Sequence, residues 1–436
     1  MSPMDPIIVG LIGIGIFLLI MAMGMPIGFS MALVGFAGIA YLISVESAFG
    51  KLAIVPFRVV ANYEFTVIPL FIFMANICFQ AGLGRDLFDL AFKWLGPFPG
   101  GLAMGTVVAC AIFSAISGSS IGTAVTVGLV ALTEMKKYNY APKLATGCVA
   151  AGGTMGVLIP PSNPLILYGI ITEQSIGKLF IAGIIPGILE AVFYIITIYI
   201  ICRLNPKLGP RAPNVSFKEK LAPIGRCGEV VLLVVFVLGG LFIGWFTPTE
   251  AGAAGAFGSI VIALARRRLD WRKFKEACLE TLRTSGMIYA LIIGASIMNY
   301  FLAVSRLPTE VARVIGGLPL PPIGIMALVM VLQIVLGCFI DALAMMLILT
   351  PIFFPMAMQL GFDPIWFGIM MVVMGEIAVI TPPVGINVYA ISGIAKDVPM
   401  ETIFRGIFPF FIADICRVAL LLFVPQLALF LPSLMK

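Results

Sequence analysis

The sequence contains no histidine. That absence removes the imidazole base of a Ser-His-Asp triad and the commonest nitrogen ligand of transition-metal sites. Charge is scarce too: charged residues make up 11% of the 436 positions, well below a soluble domain's share. Eight cysteines, at positions 78, 110, 148, 202, 227, 278, 338 and 416, stand singly with no CxxC. They suggest neither a disulfide framework nor a zinc site and read as buried apolar filler. The opening MSPMD has no lysine or arginine, and no small-residue cleavage site leads into a hydrophilic mature protein. The first apolar run, residues 7–23, is therefore expected to be a retained span and not a signal peptide.

What the chain does have is apolar length. It is 61% hydrophobic with a mean hydropathy of +1.12, and runs long enough to cross a bilayer recur from end to end. A polytopic protein embedded in a lipid bilayer is expected. The net charge of +6 would suit nucleic acid, but the basic residues cluster at the edges of apolar runs, where loop charge sets membrane orientation. No nucleic-acid partner is expected.

The main pattern is a repeat. Residues 153–161 read GTMGVLIPP and residues 375–383 read GEIAVITPP, 222 positions later. The same offset pairs Pro142 with Pro364 and Pro26 with Pro248. Internal repeats with proline-broken helices are characteristic of secondary transporters. The expected organisation is a first repeat over 1–202, a basic cytoplasmic linker over 203–228 and a second repeat over 229–436. Residues 203–226 hold six Lys or Arg, one Glu and four prolines. A second basic cluster, RRRLDWRKFK at 266–275, follows two apolar runs and so belongs on the same side as the linker. An N-terminus without positive charge prefers the outside, which requires an odd number of crossings in the first half. Two such copies sit upside down relative to each other. Their loops agree: LTEMKKYNYAPK carries three lysines, whereas its counterpart PMAMQLGFDP has none. The fold class expected is all-α, with an inverted-topology repeat.

Each half then offers a span, at about 65–80 and 285–303, and an interrupted apolar stretch. The interruptions, AIFSAISGSSIGTAVTVG at 111–128 and LQIVLGCFIDALAMMLILTP at 332–351, predict re-entrant hairpins over about 111–133 and 332–358. Gly118, Ser119 and Ser120 fall opposite Ile340, Asp341 and Ala342. Backbone left unpaired at membrane depth is tolerated only inside protein or along a polar cavity, so the breaks point to a site.

Hydroxyl, carbonyl and carboxylate oxygens suit hard cations. In the first copy Ser117, Ser119 and Ser120 can face the carbonyls of residues 154–159, with Thr154 and the Asn163 amide beside them. A neutral cage of that kind fits Na⁺. In the second copy Gly337 frees carbonyls, Asp341 adds an anion, and Thr381 and Asn387 flank Pro382-Pro383. An Asp near the bilayer centre costs about 2.5–3.5 kcal/mol on insertion scales, so it seldom persists without a partner. The alternatives are plainer: SGSS as a small-residue packing face, each Pro-Pro as a kink, and Glu376 as a second polar wall or an interfacial residue. Glu64, Glu190, Glu250, Asp414 and Arg417 read as interfacial anchors or local pairs.

The succession SAISGSS, GGTMGVLIPPSNPLILYG, basic linker, FTPTEAGAAGA, GCFIDALAMMLILTPIFFP and EIAVITPPVGINVY resembles the large membrane subunit of tripartite ATP-independent periplasmic (TRAP) transporters, over essentially the whole chain. The resemblance implies a sodium-coupled permease of the bacterial inner membrane for a small organic acid anion, such as a dicarboxylate, sialic acid or a sugar acid. It implies no enzyme activity. Its motion would be an elevator, with transport and scaffold domains, and its partners a small four-helix membrane subunit and a periplasmic substrate-binding protein. The family's sodium sites map onto the two oxygen sets above. Helix N-termini after each Pro-Pro could hold the substrate carboxylate near Ser119, Pro161, Ser162, Pro383 and Gly385. A stand-alone organic anion carrier and an intramembrane enzyme stay open as alternatives.

Overall fold

The computed structural model describes residues 4–213, 216–221 and 223–435. Positions 1–3 of the N-terminal stretch without lysine or arginine, 214, 215 and 222 of the linker, and 436 of the second repeat lie outside the described residues. All regular structure among the described residues is helical. The first half runs α1 (Pro6–Ala22), α2 (Ile27–Leu42), α3 (Val45–Val60), a 3-10 turn (Tyr63–Thr66), α4 (Val67–Gln80), α5 (Leu83–Leu95), α6 (Gly101–Ser117), α7 (Ser120–Lys137), α8 (Pro142–Leu158), α9 (Asn163–Thr172) and α10 (Ile176–Leu204). After the short α11 (Phe217–Leu221), the second half runs α12 (Ile224–Phe242), α13 (Pro248–Ala265), α14 (Trp271–Val304), α15 (Leu307–Gly316), α16 (Pro322–Gly337), α17 (Ala342–Gln359), α18 (Pro364–Ala378), α19 (Ile386–Ile394) and α20 (Met400–Phe423), followed by α21 (Gln426–Ser433).

A shift of 222 residues lays α1 and α2 on α12 and α13, and α5–α10 on α15–α20. Among the described elements α11 and α21 have no counterpart, and one further stretch differs in form. The 34-residue α14 runs unbroken where the first half divides into α3, the 3-10 turn and α4. Prolines set the matching starts. Pro142, Pro248 and Pro364 occupy first turns, where the missing N–H costs nothing. Seven helical stretches among the described residues are long and apolar enough to cross a membrane, and the chain is a multi-pass membrane protein.

The two copies exchange partners. α7 packs on α19 and α17 on α9, while α8 packs on α20 and α18 on α10, as a twofold relation between the halves requires. At the centre lie α8 and α18, buried along nearly their whole lengths and apolar all round. In lipid no hydrophobic force drives helices together, so close contact depends on small residues. Where α8 crosses α20, a Cβ on Gly147 would fall 2.4 Å from the Gly406 carbonyl oxygen, so these backbones touch directly.

Both hairpins are present, with different limits from those expected. The first comprises α6 and α7 over 101–137, and the second α16 and α17 over 322–359. Their opening arms begin about ten residues before the interrupted stretches, because each arm is continuous apolar helix whose sequence gives no sign that it belongs to the hairpin. The amphipathic α5 and α15, each preceding a hairpin, were not anticipated.

Candidate ion and substrate site at two helix breaks

At the first break α6 ends where Gly118 turns into the left-handed region, at φ +59°. Ser119 then caps α7 by accepting the Gly122 amide at 3.2 Å. This tip is seated on the α8–α9 interruption. Asn163 Nδ2 donates to the Gly118 carbonyl at 3.2 Å, and a Cβ on Gly118 would lie 2.7 Å from the Pro161 carbonyl oxygen. From α8, Gly156 leaves room for the tip: a Cβ there would fall 2.4 Å from the Ser119 carbonyl oxygen and 2.8 Å from Thr123 Oγ1. Ser117 Oγ and Thr123 Oγ1 are 2.6 Å apart. Hydroxyls of Ser117 and Thr123 and carbonyls of Ser119 and Pro161 thus converge where two helices are broken. Half-buried Ser120 begins α7, with its carbonyl oxygen directed at Gly153.

At the second break α16 ends at Gly337, and Asp341 caps α17 by accepting the Leu343 amide at 3.0 Å. Gly337 lies against α18; a Cβ on it would come within 2.3 Å of Ala378 Cβ. Beyond α18, Thr381 donates its hydroxyl proton to the Ile377 carbonyl at 2.5 Å, and Gly385 takes φ +60° before α19. Thr381 and Val384 are half-buried, Pro382 and Pro383 exposed, and Gly385 buried. Asn387 is buried; its Nδ2 reaches across to the Ala150 carbonyl of α8 at 3.1 Å, and its Oδ1 has no protein partner. Both double prolines have a cis peptide bond between them.

The donor chemistry fits a small monovalent cation. The amides that follow α6 and α16 take the carbonyls of Ser114, Ile334 and Leu336, other last-turn carbonyls lack an intrahelical donor, Asn387 Oδ1 is an unmatched buried acceptor, and the first set is neutral. The N-termini of α7, α9, α17 and α19 bring positive dipole ends to the same region, which suits an anion.

Two expected residues are directed elsewhere. Thr154 lies on the face of α8 opposite to that required, with its hydroxyl 2.7 Å from Glu190 Oε1 and 2.6 Å from the Ala151 carbonyl oxygen. Its side chain is removed from the first cation set. Ser162 uses its hydroxyl inside the break, donating to the Val157 carbonyl and accepting the Leu165 amide at 3.3 Å. It closes the interruption and has no free hydroxyl for a substrate. Thr123 was missed, although it stands six residues after Ser117 and one turn into α7.

The larger correction concerns charge. Glu190 and Arg417 are buried and ion-paired at 2.6 Å between α10 and α20, so neither is an interfacial anchor. Glu376, also buried, meets Arg417 at 2.9 Å, which makes it an interior residue. The local Asp414–Arg417 contact is present at 3.2 Å, as one part of this cluster. Glu64 is exposed, and Glu250 forms a capping box with Thr247 at the start of α13, as a surface residue would.

Comparison with known proteins agrees with this architecture. Among solved structures, the YdaH transporter of Alcanivorax borkumensis superposes with a TM-score of 0.59 over 86% of this chain and 88% of its own, at 15% identity. The two chains thus share a fold. A family model described as the DctM component of tripartite ATP-independent periplasmic transporters matches residues 14–427, and the chain belongs to that family. It is 37% identical over 384 residues to the C4-dicarboxylate TRAP transporter large permease protein DctM of Pseudomonas aeruginosa, covering 88% of this chain and 89% of the relative. It is 33% identical over 418 residues to the isethionate TRAP transporter permease protein DctMQ of Oleidesulfovibrio alaskensis, covering 95% of this chain and 65% of that longer protein.

Proposed function

We propose that this chain carries a small organic acid anion into a bacterial cell across the inner membrane, coupled to sodium entry. The observation that carries the reading is the seating of the Gly118 tip on the α8–α9 break through Asn163. It joins carbonyl and hydroxyl oxygens fit for a cation to helix N-termini fit for a carboxylate. The relatives are named for a C4-dicarboxylate and for isethionate, both small acid anions, which supports the substrate class without choosing within it. The first sodium set is Ser117, Ser119, Ser120 and Asn163, with Thr123 added and Thr154 removed. The second is Gly337, Asp341, Thr381, Val384 and Asn387. Ser119, Pro161, Pro383 and Gly385 border the anion position.

In this reading cation and anion bind as a coupled set. Charge on the sodium ions offsets the carboxylate at the two breaks, and one net positive charge moving through 100 mV adds about 2.3 kcal/mol of driving force. The hairpins, with α8, α9, α18 and α19, move as a transport domain against a scaffold of outer helices, with the 203–228 linker on the cytoplasmic side. A small four-helix membrane subunit and a periplasmic binding protein complete the system.

The test is uptake into proteoliposomes holding this chain and its small subunit, with organic acids scanned against sodium gradient and binding protein. A requirement for both sodium and the binding protein is the expected result. Uptake indifferent to sodium would overturn the coupling, and sodium-driven uptake without a binding protein would make the chain a stand-alone carrier.

A further inference from the structure

The Arg417 cluster contains more negative charge than its one cation can balance. Arg417 is fully buried; its Nη1 meets Glu190 Oε2 at 2.6 Å, and its Nη2 meets Glu376 Oε2 at 2.9 Å and Asp414 Oδ1 at 3.2 Å. All three acids are buried as well. Fully ionised, the group would hold two uncompensated negative charges away from water. An unpaired buried carboxylate is costly enough that it takes up a proton instead.

Among the described side chains no other positive charge is close. On the helices that build the cluster, Lys143, Lys178, Arg203 and Arg405 stand nine or more residues from Thr154, Glu190 and Asp414, about 13 Å or more along a helix. The acids Asp363 and Glu401 are equally distant along their helices. Of the helices packed against these, α6, α9, α16, α19 and α21 contain no charged residue, and α6 presents only the Cys110 thiol toward Glu190. α17 adds another acid, Asp341, at its cap, and α12 adds Glu229, which is paired with Arg266, and Arg226, whose side chain lies outside the described residues. The Glu134, Lys136 and Lys137 group of α7 lies at its far end, with Lys136 bound to Asp397 and Lys137 to Glu134.

Hydrogen bonding indicates which acids hold protons. Glu190 Oε2 accepts from Arg417, and its Oε1 lies 2.7 Å from the Thr154 hydroxyl, which the Ala151 carbonyl shares. Glu376 Oε1, by contrast, is buried with no hydrogen-bond partner, Asp414 Oδ1 has only the ion-pair contact with Nη2 and no aligned hydrogen bond, and both carboxyls converge on that single nitrogen. The remaining Asp414 oxygen accepts the Tyr194 hydroxyl proton at 2.7 Å. From this geometry we infer that Glu376 and Asp414 form a buried proton site, a carboxyl pair beside the Glu190–Arg417 contact that retains at least one proton at neutral pH. Two carboxylates sharing one site do not both ionise readily.

The position of this pair gives it a use. Glu376 stands two residues before the end of α18, and Thr154, bonded to Glu190, stands four before the end of α8. The proton site therefore lies directly behind both helix breaks, and its charge state bears on each. Proton occupancy stands without the sodium reading; an effect on uptake rests on it.

The experiment is pH-difference infrared spectroscopy of the purified full-length chain in lipid vesicles, reading the C=O band of protonated carboxyl groups. Wild type should show the band at neutral pH, and Glu376→Gln and Asp414→Asn should each remove half of it or more. Both variants should unfold within a few degrees of wild type, since each keeps a neutral group where one already sits. Glu190→Gln, which removes the ion-pair partner of Arg417, should unfold well below them. A band unchanged in both variants, or variants as unstable as Glu190→Gln, would overturn the assignment. Uptake that ignores sodium while the band behaves as stated would sink the sodium coupling and leave the proton site standing.

Discussion

Asn163 and Gly118, 45 residues apart, are joined at 3.2 Å by a side-chain amide donating to a main-chain carbonyl, and this bond holds a hairpin tip in a helix break. Replacing Asn163 with Ala leaves a buried carbonyl without its donor, a loss of about 1–3 kcal/mol. The loss falls on the assembled site, so half-maximal uptake should require roughly tenfold more sodium, tenfold being about 1.4 kcal/mol. Sodium titration of uptake at matched protein abundance checks this, and an unchanged half-maximal concentration would mean that the joint does not support the site.

Gly156 tests the same contact from the other side. A Cβ there would sit 2.4 Å from the Ser119 carbonyl oxygen, which is backbone and cannot swing aside. Gly156→Ala should displace the tip, lower stability by about 1–3 kcal/mol and abolish most uptake. Gly225→Ala, where a Cβ would meet nothing within 4 Å, serves as the control and should be close to neutral. Thermal unfolding in detergent separates the two.

The legibility of this chain divides along the range of the interactions. Gly118, Pro160-Pro161 and Pro382-Pro383 break helices through their own covalent chemistry, so both interruptions and the offset between them could be read directly. Asp341 could be read as well, because a carboxylate within an apolar run is conspicuous. Side-chain direction could not. Whether Thr154 faces the hairpin tip or Glu190 depends on the rotation of α8, and that rotation is set by glycines, Gly153 and Gly156, which turn the opposite face to α7. Glu190 and Arg417 are 227 residues apart, and nothing local in either segment names the other. Their placement beside apolar runs looks the same as that of a surface anchor until α10 and α20 are packed.

Thr154 and Ser117 should therefore separate in experiment. Ser117→Ala removes a hydroxyl that stands 2.6 Å from Thr123 at the tip and should weaken the sodium response several-fold with little change in abundance. Thr154→Val keeps the shape but takes a donor from buried Glu190, costing about 1–3 kcal/mol of stability while leaving the sodium response unchanged. Paired uptake and melting measurements decide it. A sodium defect in Thr154→Val equal to that of Ser117→Ala would restore Thr154 to the site.

Asp341 has two roles that one substitution can divide. Its carboxylate caps α17 by accepting the Leu343 amide at 3.0 Å, and it supplies the anion of the second cation set. Asparagine caps a helix about as well as aspartate, so Asp341→Asn should keep the hairpin and change stability by no more than about 0.5 kcal/mol. What it loses is the negative charge. If that charge helps to hold sodium, the variant should need at least tenfold more sodium for half-maximal uptake, and uptake should respond less steeply to it. Alanine at the same position would lose both cap and charge and so cannot tell the two apart. Normal uptake by Asp341→Asn with an unchanged sodium response would reduce Asp341 to a capping residue and remove the second site.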